Sequence, residues 1–309
     1  MTRSRLVSNA FFLGATLLAA LAANAQRPPP LTVCMADDNA PLSRAERGAV
    51  HGLDVRVAEA VAAALQRPLV IVPFESKYES DSTLSQEVNA LLSSGVCELA
   101  SGFSLLRSDL GAPSRPVARV PDYPGAPPPP KRPWVPLGTL ESSRAYHAVA
   151  MVLVVRDRSR VAATLSDLGD AKVGAISGTL AGSIISLFHN GKLRPTMVTL
   201  SQREDVLEAL EAGRIDAALV AIDRLDSWRL THPRTPIVRT GYVHPLRINI
   251  GFVARAEAKD LLVAVDRVID RAVSSGDLQR WHTLEGGTWI APADPQVSAT
   301  IGIADLIRD

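Results

Sequence analysis

The side chains best suited to metal, redox or nucleophilic chemistry are two cysteines, Cys34 and Cys97, and six histidines: His51, His147, His189, His232, His244 and His282. Their spacing assigns them none of it. The histidines are scattered without ligand spacing, the cysteines form no C-x-x-C pair, and no histidine lies near either cysteine. The chain has no G-x-S-x-G elbow, no H-E-x-x-H and no phosphate loop. The sequence therefore predicts a non-catalytic protein with no metal and no cofactor. What remains are polar residues at the ends of apolar segments. Ser177-Gly178-Thr179 joins a predicted strand to a predicted helix, and such a turn presents unpaired N–H groups to an anion. Asp37 to Ser43 and Gly102-Phe103-Ser104 follow two other apolar strands.

The elements that must position these loops alternate in type. Leu31 to Met35 reads as a strand, and Leu53, Val57, Val61 and Leu65 recur at helical spacing. Arg67-Pro68 stops that helix, and Leu69 to Val72 is a β-branched strand. Val88, Leu91 and Leu92 mark a second helix ending near Gly95, and Cys97 to Gly102 a third strand. Strands alternating with helices predict parallel pairing in an α/β sheet, whose ligands lie beyond the carboxyl ends of the strands. That rule places the Asp37–Ser43 loop and Gly102–Ser104 at one cleft.

Composition narrows the partners. Lys plus Arg (33) balance Asp plus Glu (32) in 309 residues, which argues against nucleic acid and anionic membrane surfaces. Residues 1–25 read as a cleaved signal peptide: Arg3 and Arg5 are basic, Ala10 to Ala23 apolar, and Ala23-Asn24-Ala25 a small-x-small site. The mature chain is expected in the periplasm, as a monomer. Cys34 and Cys97 fall on strands that neighbour each other in a 2-1-3 order. An oxidising compartment would join them, and a reducing one would leave two buried thiols. Export favours the bond.

Further along, residues 112–138 carry Pro113, Pro116, Pro121, Pro124, Pro127 to Pro130, Pro133 and Pro136. This segment is expected to hold neither helix nor ladder, and to lie over the surface as an insertion. Tyr146 to Val155 is a long strand. Leu165 to Leu168 begins a short helix with Ser166 as its cap, and Ala171 to Ile176 is a strand. Leu180, Ile184, Leu187 and Phe188 share a helix face, and Met197 to Leu200 is a strand. Ser201 and Glu204 suggest a capping box for the helix of Val206, Leu207 and Leu210. Asp216 to Val220, Ile237 to Arg239 and Ile248 to Ala254 are further strands. Leu261 to Val273 is an amphipathic helix, and residues 286–309 form a tail.

The order of these pieces resembles the periplasmic solute-binding proteins of the polar amino-acid type, family 3. The resemblance rests on Gly52-Leu53-Asp54-Val55, on Gly95-Val96-Cys97-Glu98-Leu99, on Leu168 to Thr179, on Gly213 to Val220 and on Ser275 to Trp281. It implies a type II periplasmic binding protein: an α/β chain of two lobes, each a doubly wound sheet, joined by two crossover strands. Lobe 1 would be residues 26–147 and 250–309, and lobe 2 residues 148–249. It also implies capture of a small polar solute, an amino acid or organic acid, for an ABC permease. The ligand-binding residues carried over are Asp38, Asn39, Gly102, Phe103, Ser104 and Arg107 from lobe 1, and Ser177, Gly178, Thr179 and Asp223 from lobe 2.

The resemblance has gaps. The family holds the ligand carboxylate with an arginine after the third strand and the ammonium with a carboxylate after the Asp-Ala strand. Here Asp109 stands where that arginine belongs, with Arg107 two residues early, and Ala221 stands at the carboxylate position, with Asp223 two residues later. Either a shifted backbone lets Arg107 and Asp223 reach the ligand, or both are solvated loop residues. Val33-Cys34 and Gly95-Val96-Cys97 also resemble a branch of binding-protein-like accessories of periplasmic quinoprotein dehydrogenases. A dehydratase on the same fold is a further alternative, with Asp37, Asp38 or Glu75 as its general acid.

Overall fold

The computed structural model describes residues 28–75, 83–128, 131–156 and 162–308. The expected signal peptide, residues 1–25, lies outside them. Among the described residues no helix is long and apolar enough to cross a membrane.

The first half is built as its periodicity demands. Strand β1 (Leu31–Ala36) leads through a small antiparallel sheet of β2 (Asp38–Asn39), β3 (Ser43–Glu46) and β4 (Ala49–His51) into helix α1 (Leu53–Ala64). Strand β5 (Leu69–Phe74), helix α2 (Leu84–Ser93) and strand β6 (Leu99–Ser104) follow. Helix α2 opens with a capping box in which the Thr83 hydroxyl accepts from the Gln86 N–H and the Gln86 side chain accepts from the Thr83 N–H. Strand β1 lies between β5 and β6, parallel to both, which is the 2-1-3 order. Cys34 and Cys97 therefore meet, their Cα atoms 5.7 Å apart, and form a disulfide.

The Pro-rich segment departs from expectation. Strands β7 (Val117–Arg119) and β8 (Trp134–Pro136) pair antiparallel within it. Prolines flank β7 and close β8, so the ladder between them still finds the N–H donors it needs. Ala118, Val120 and Val135 are buried with Tyr123 against the core of the first half, while Trp134 stays exposed with the Arg119 guanidinium over its ring.

Two long strands carry the chain between halves: β9 (Leu140–Val155) and β13 (Val238–Arg255). The two segments predicted at Ile237–Arg239 and Ile248–Ala254 are one strand, kept continuous through register shifts along β9. Between them lie β10 (Val173–Ile176), helix α3 (Leu180–Leu187), β11 (Met197–Leu200), helix α4 (Val206–Glu211), β12 (Ala217–Ala221) and helix α5 (Ile222–Thr231). The strand order β11-β10-β12-β9-β13-β6-β1-β5 shows β9 and β13 as the members shared by both halves. Strand β12 pairs with β9 only at Met151–Val155, and β6 with β13 only at Ile250–Val253. Between those contacts, Ala148–Ala150 and Arg247–Asn249 pair with each other and with no other strand, while Leu105 and the tail bond to Asn249 and Ala148.

Helices cover both faces of each half, so the cores come in pairs. Leu31 to Tyr146 and Ile250 to Leu278 supply two clusters, and Val152 to Tyr242 two others. Helices α6 (Lys259–Ser274) and α7 (Asp277–Leu284) close the first half through Leu262, Val265, Ile269 and Leu278, while Val273, expected on the apolar face, is exposed. Two caps also differ from expectation. A 3-10 turn, Leu165–Leu168, is capped at Thr164, with Asp167 accepting from the N–H groups of Ala163 and Thr164. Helix α4 is capped by Asp205, which accepts from the Leu207 N–H, because Ser201 and Glu204 bond each other one turn too early.

The tail touches both halves. Thr288 donates to Asp226, the Trp289 indole to the Tyr146 carbonyl, and the Asn249 amide to Ala293, Pro295 and Gln296. Ser298 then bridges Leu106, and helix α8 (Ile303–Leu306) rests on α3.

Candidate functional site

A cleft of about 750 Å3 opens beside the stretch where β9 and β13 pair only with each other. Its walls come from strand ends. β1 delivers Asp37, then Asp38 and Asn39 on β2; β6 delivers Gly102, Phe103 and Ser104; β5 delivers Glu75. From the second half comes Asp223, in the first turn of α5 directly after β12. The cleft is acidic: Asp37, Asp38, Glu75 and Asp223 line it, and among the described residues no lysine or arginine does.

Gly102 is the one lining residue whose backbone leaves no choice. Its φ is +66°, and a Cβ there would press on the Asn39 amide at 3.1 Å and the Asp54 carboxylate at 3.2 Å. Beneath it lies a buried polar network absent from the sequence-derived site. Asp54, fully buried on α1, accepts from the Ser101 hydroxyl and the Tyr146 hydroxyl, each at 2.6 Å. The Tyr146 oxygen in turn accepts from the Gly102 N–H at 3.0 Å. Burial pushes the Asp54 carboxyl up to about 7, against the lowering effect of its two hydroxyl donors and of His147. Burial, with Asp54 beside it, pushes the Tyr146 phenol well above its ordinary value. The network fixes the end of β6 to the start of α1, and so fixes the cleft floor.

A second buried group stands where the two halves meet. His147 of β9 shares a hydrogen bond with Asp223 at 3.2 Å, and its ring lies edge to face with that of His282 of α7, centroids 4.6 Å apart. Both histidines are fully buried. Neither ring nitrogen of His282 has a hydrogen-bond partner among the described residues. Burial, with His147 adding to it, pushes His282 down to about 3.

Of the residues expected to bind ligand, Asp38, Asn39, Gly102, Phe103, Ser104 and Asp223 share the cleft. The other four lie elsewhere. Arg107 is exposed in the turn after β6, its N–H bonded to the Ser298 carbonyl of the tail. Ser177 and Gly178 line a separate hollow of about 190 Å3 between β10, α3 and β11. Thr179 caps α3 by accepting from the Gly182 N–H and lines another of about 360 Å3 with Asp205 and Arg224. Asp54 had a sequence signal: it shares the helix face of Ala58 and Val61, and a carboxylate on an apolar stripe must find buried partners. His282 had the same signal, four residues after Leu278 on a short amphipathic helix.

Comparison with known proteins places this geometry. No protein-family model matches the chain, and no curated protein matches it. Solved structures do. The L-cystine solute receptor of Neisseria gonorrhoeae in its unliganded open conformation is 17% identical, with TM-score 0.59, over 85% of this chain and 94% of that one. A reconstructed ancestral cationic amino-acid solute-binding protein is 16% identical, with TM-score 0.57, over 83% and 95%. The second substrate-binding domain of Lactococcus lactis GlnP, also open, is 14% identical, with TM-score 0.59, over 84% and 96%. The chain has the fold of the type II periplasmic binding proteins. At these identities the likeness extends to the architecture alone.

Proposed function

We propose that the protein is a periplasmic, non-catalytic solute-binding protein that closes its two lobes around a small solute bearing positive charge. The lobes are residues 26–147 with 250–309, and residues 148–249, turning about Ala148–Ala150 and Arg247–Asn249. The observation that carries this reading is the cleft itself: loops after β1, β5 and β6 face Asp223 of the opposite half, with four carboxylates and no basic side chain on the described walls. An organic acid would enter against that field, whereas a basic amino acid would enter with it. The L-cystine receptor and the cationic amino-acid binder of like fold support an amino-acid ligand.

In this reading Asp223 holds the α-ammonium and His147 orients it from below. Asp38 and Asn39 meet the side-chain cation, and Ser104 and the Gly102 backbone face the carboxylate. Closure brings the Ser177–Thr179 turn of the second lobe to the same carboxylate, replacing the solvation that a buried anion loses, while Arg107, exposed on the first lobe, takes no part. The loaded protein then presents both lobes to an ABC permease. Calorimetric titration tests it. Arginine, lysine or ornithine should bind with micromolar or tighter affinity, malate and glutamate should not, and Asp223→Asn should weaken binding at least about ten-fold. Preference for the organic acids would overturn the charge assignment, and turnover of prephenate or arogenate would overturn the non-catalytic reading.

A further inference from the structure

We propose that His147, Asp223 and His282 form a binding site for one divalent transition-metal ion at the junction of the two halves. One ligand atom from each residue lies within 4.8 Å of the other two. The His147 Nε2 to Asp223 Oδ1 separation is already 3.2 Å. Two ligands on one zinc ion stand about 3.3 Å apart when each bond is about 2.0 Å and the geometry tetrahedral. One edge of such a site is therefore in place, and a rotation of the His282 ring brings in the third donor.

The donor set identifies the class of ion. Two imidazoles and one carboxylate suit zinc, cobalt, nickel or copper, whereas calcium and magnesium take oxygen ligands. The second observation is His282 itself, fully buried with both ring nitrogens unpartnered among the described residues. A buried polar side chain without a partner is costly, and an ion supplies the missing one. The Nε2 edge of the ring lies against Gly287, where even a Cβ would fall 2.0 Å from that nitrogen, so a side chain at position 287 would displace the ring.

The site also has an entrance and an open position. Asp223 lines the cleft while both histidines are sealed below it, so an ion enters from the cleft and its remaining coordination position faces the cleft. Metal binding has a local consequence at His147. Its Nδ1 accepts from the Ile290 N–H at 3.4 Å, which leaves the ring proton on Nε2. When Nε2 takes the ion, that proton moves to Nδ1, the long Ile290 contact is given up, and the tail shifts there. Because the three ligands come from β9, α5 and α7, an ion would pin the junction between the halves.

The site shares Asp223 and His147 with the proposed solute site, so an ion and a solute ammonium would compete there, but its test needs no solute. Untagged full-length protein is stripped with a chelator, equilibrated with Zn2+ alone and analysed for metal. About one equivalent should remain bound, and Co2+ should give the intense visible bands of a four-coordinate centre. His282→Gln should lower Zn2+ affinity at least about ten-fold, while His51→Gln, on the exposed β4, should leave it unchanged. Should His282→Gln fail to fold by circular dichroism, Asp223→Asn replaces it with the same expectation. Substoichiometric zinc in the wild type, or full binding by a folded variant, would overturn the proposal.

Discussion

Asp54 is the residue whose chemistry is most exposed to measurement. Its carboxyl is raised to about 7 from 3.8, chiefly by burial. Between those values the folded chain holds a proton that the unfolded chain releases, so stability is greatest at the acid end and declines as pH rises through 7. Three units correspond to about 4 kcal/mol. Asp54→Asn removes the titration, so the variant should gain on the wild type by about 2–4 kcal/mol between pH 4 and pH 8, read as urea midpoints. A parallel pH profile for the two proteins would show that the carboxyl is not held neutral. At this scale the sequence was partly legible. The loop residues Asp38, Asn39 and Ser104 fell in the cleft because strand ends are where an α/β sheet places its loops. Arg107 and the Ser177–Thr179 turn do not share that cleft: Arg107 sits in an exposed turn held by the Ser298 carbonyl, and the turn faces hollows beside α3, placements that residue spacing does not encode. The His147–Asp223–His282 group was hidden for a related reason: its members sit on three elements brought together only by the crossover and the closing helix.

Elements were legible where periodicity ran long. Helices α1, α2 and α6 and strands β1, β5 and β6 follow directly from apolar spacing, and their order fixed the neighbours of β1. The hairpin of β3 and β4 was missed because its strands are short and mostly solvated, although Arg47 and Gly48, both at positive φ, form a turn typical of a tight hairpin. The Pro-rich segment was misread because proline count says little about the few positions that must donate. The disulfide is the element-scale device with the clearest energetic consequence. It joins β1 to the start of β6 across a sequence separation of 63 residues, and closing a loop of that length is worth about 4 kcal/mol in the chain-entropy account. Cys34→Ala with Cys97→Ala should therefore lose about 2–4 kcal/mol by urea denaturation, and the wild type in reductant should match it. Equal stability of the oxidised and reduced protein would mean that the buried cores around Cys34 alone hold β1 between its neighbours.

At the scale of the whole molecule, the tail bears on the proposed closure because it is bonded to both halves. The proposed hinge motion would bend the two strands at Ala148–Ala150 and Arg247–Asn249, which pair there with each other. The tail adds a third connection. It is anchored to the second half at Asp226, to the junction at His147 and Asn249, to the first half at Leu105 and Arg107, and again to the second half at α3. A rotation that closes the cleft changes the distance between the Ser298 and Leu306 anchors, so contacts made in this arrangement must yield. The Ser177–Thr179 turn and the Asp38–Ser104 wall line separate hollows, so on the proposed closure the tail contacts would favour the form in which they are apart. Deleting residues 299–309 removes the last anchor while sparing the Asn249 and Asp226 contacts. The truncated chain should bind its solute several-fold more tightly, because about 1 kcal/mol less is spent in closing. Small-angle scattering of the solute-free protein should show a more compact average. Weaker binding after truncation would place helix α8 on the closed interface, as a clasp across the lobes and not a brace against their approach.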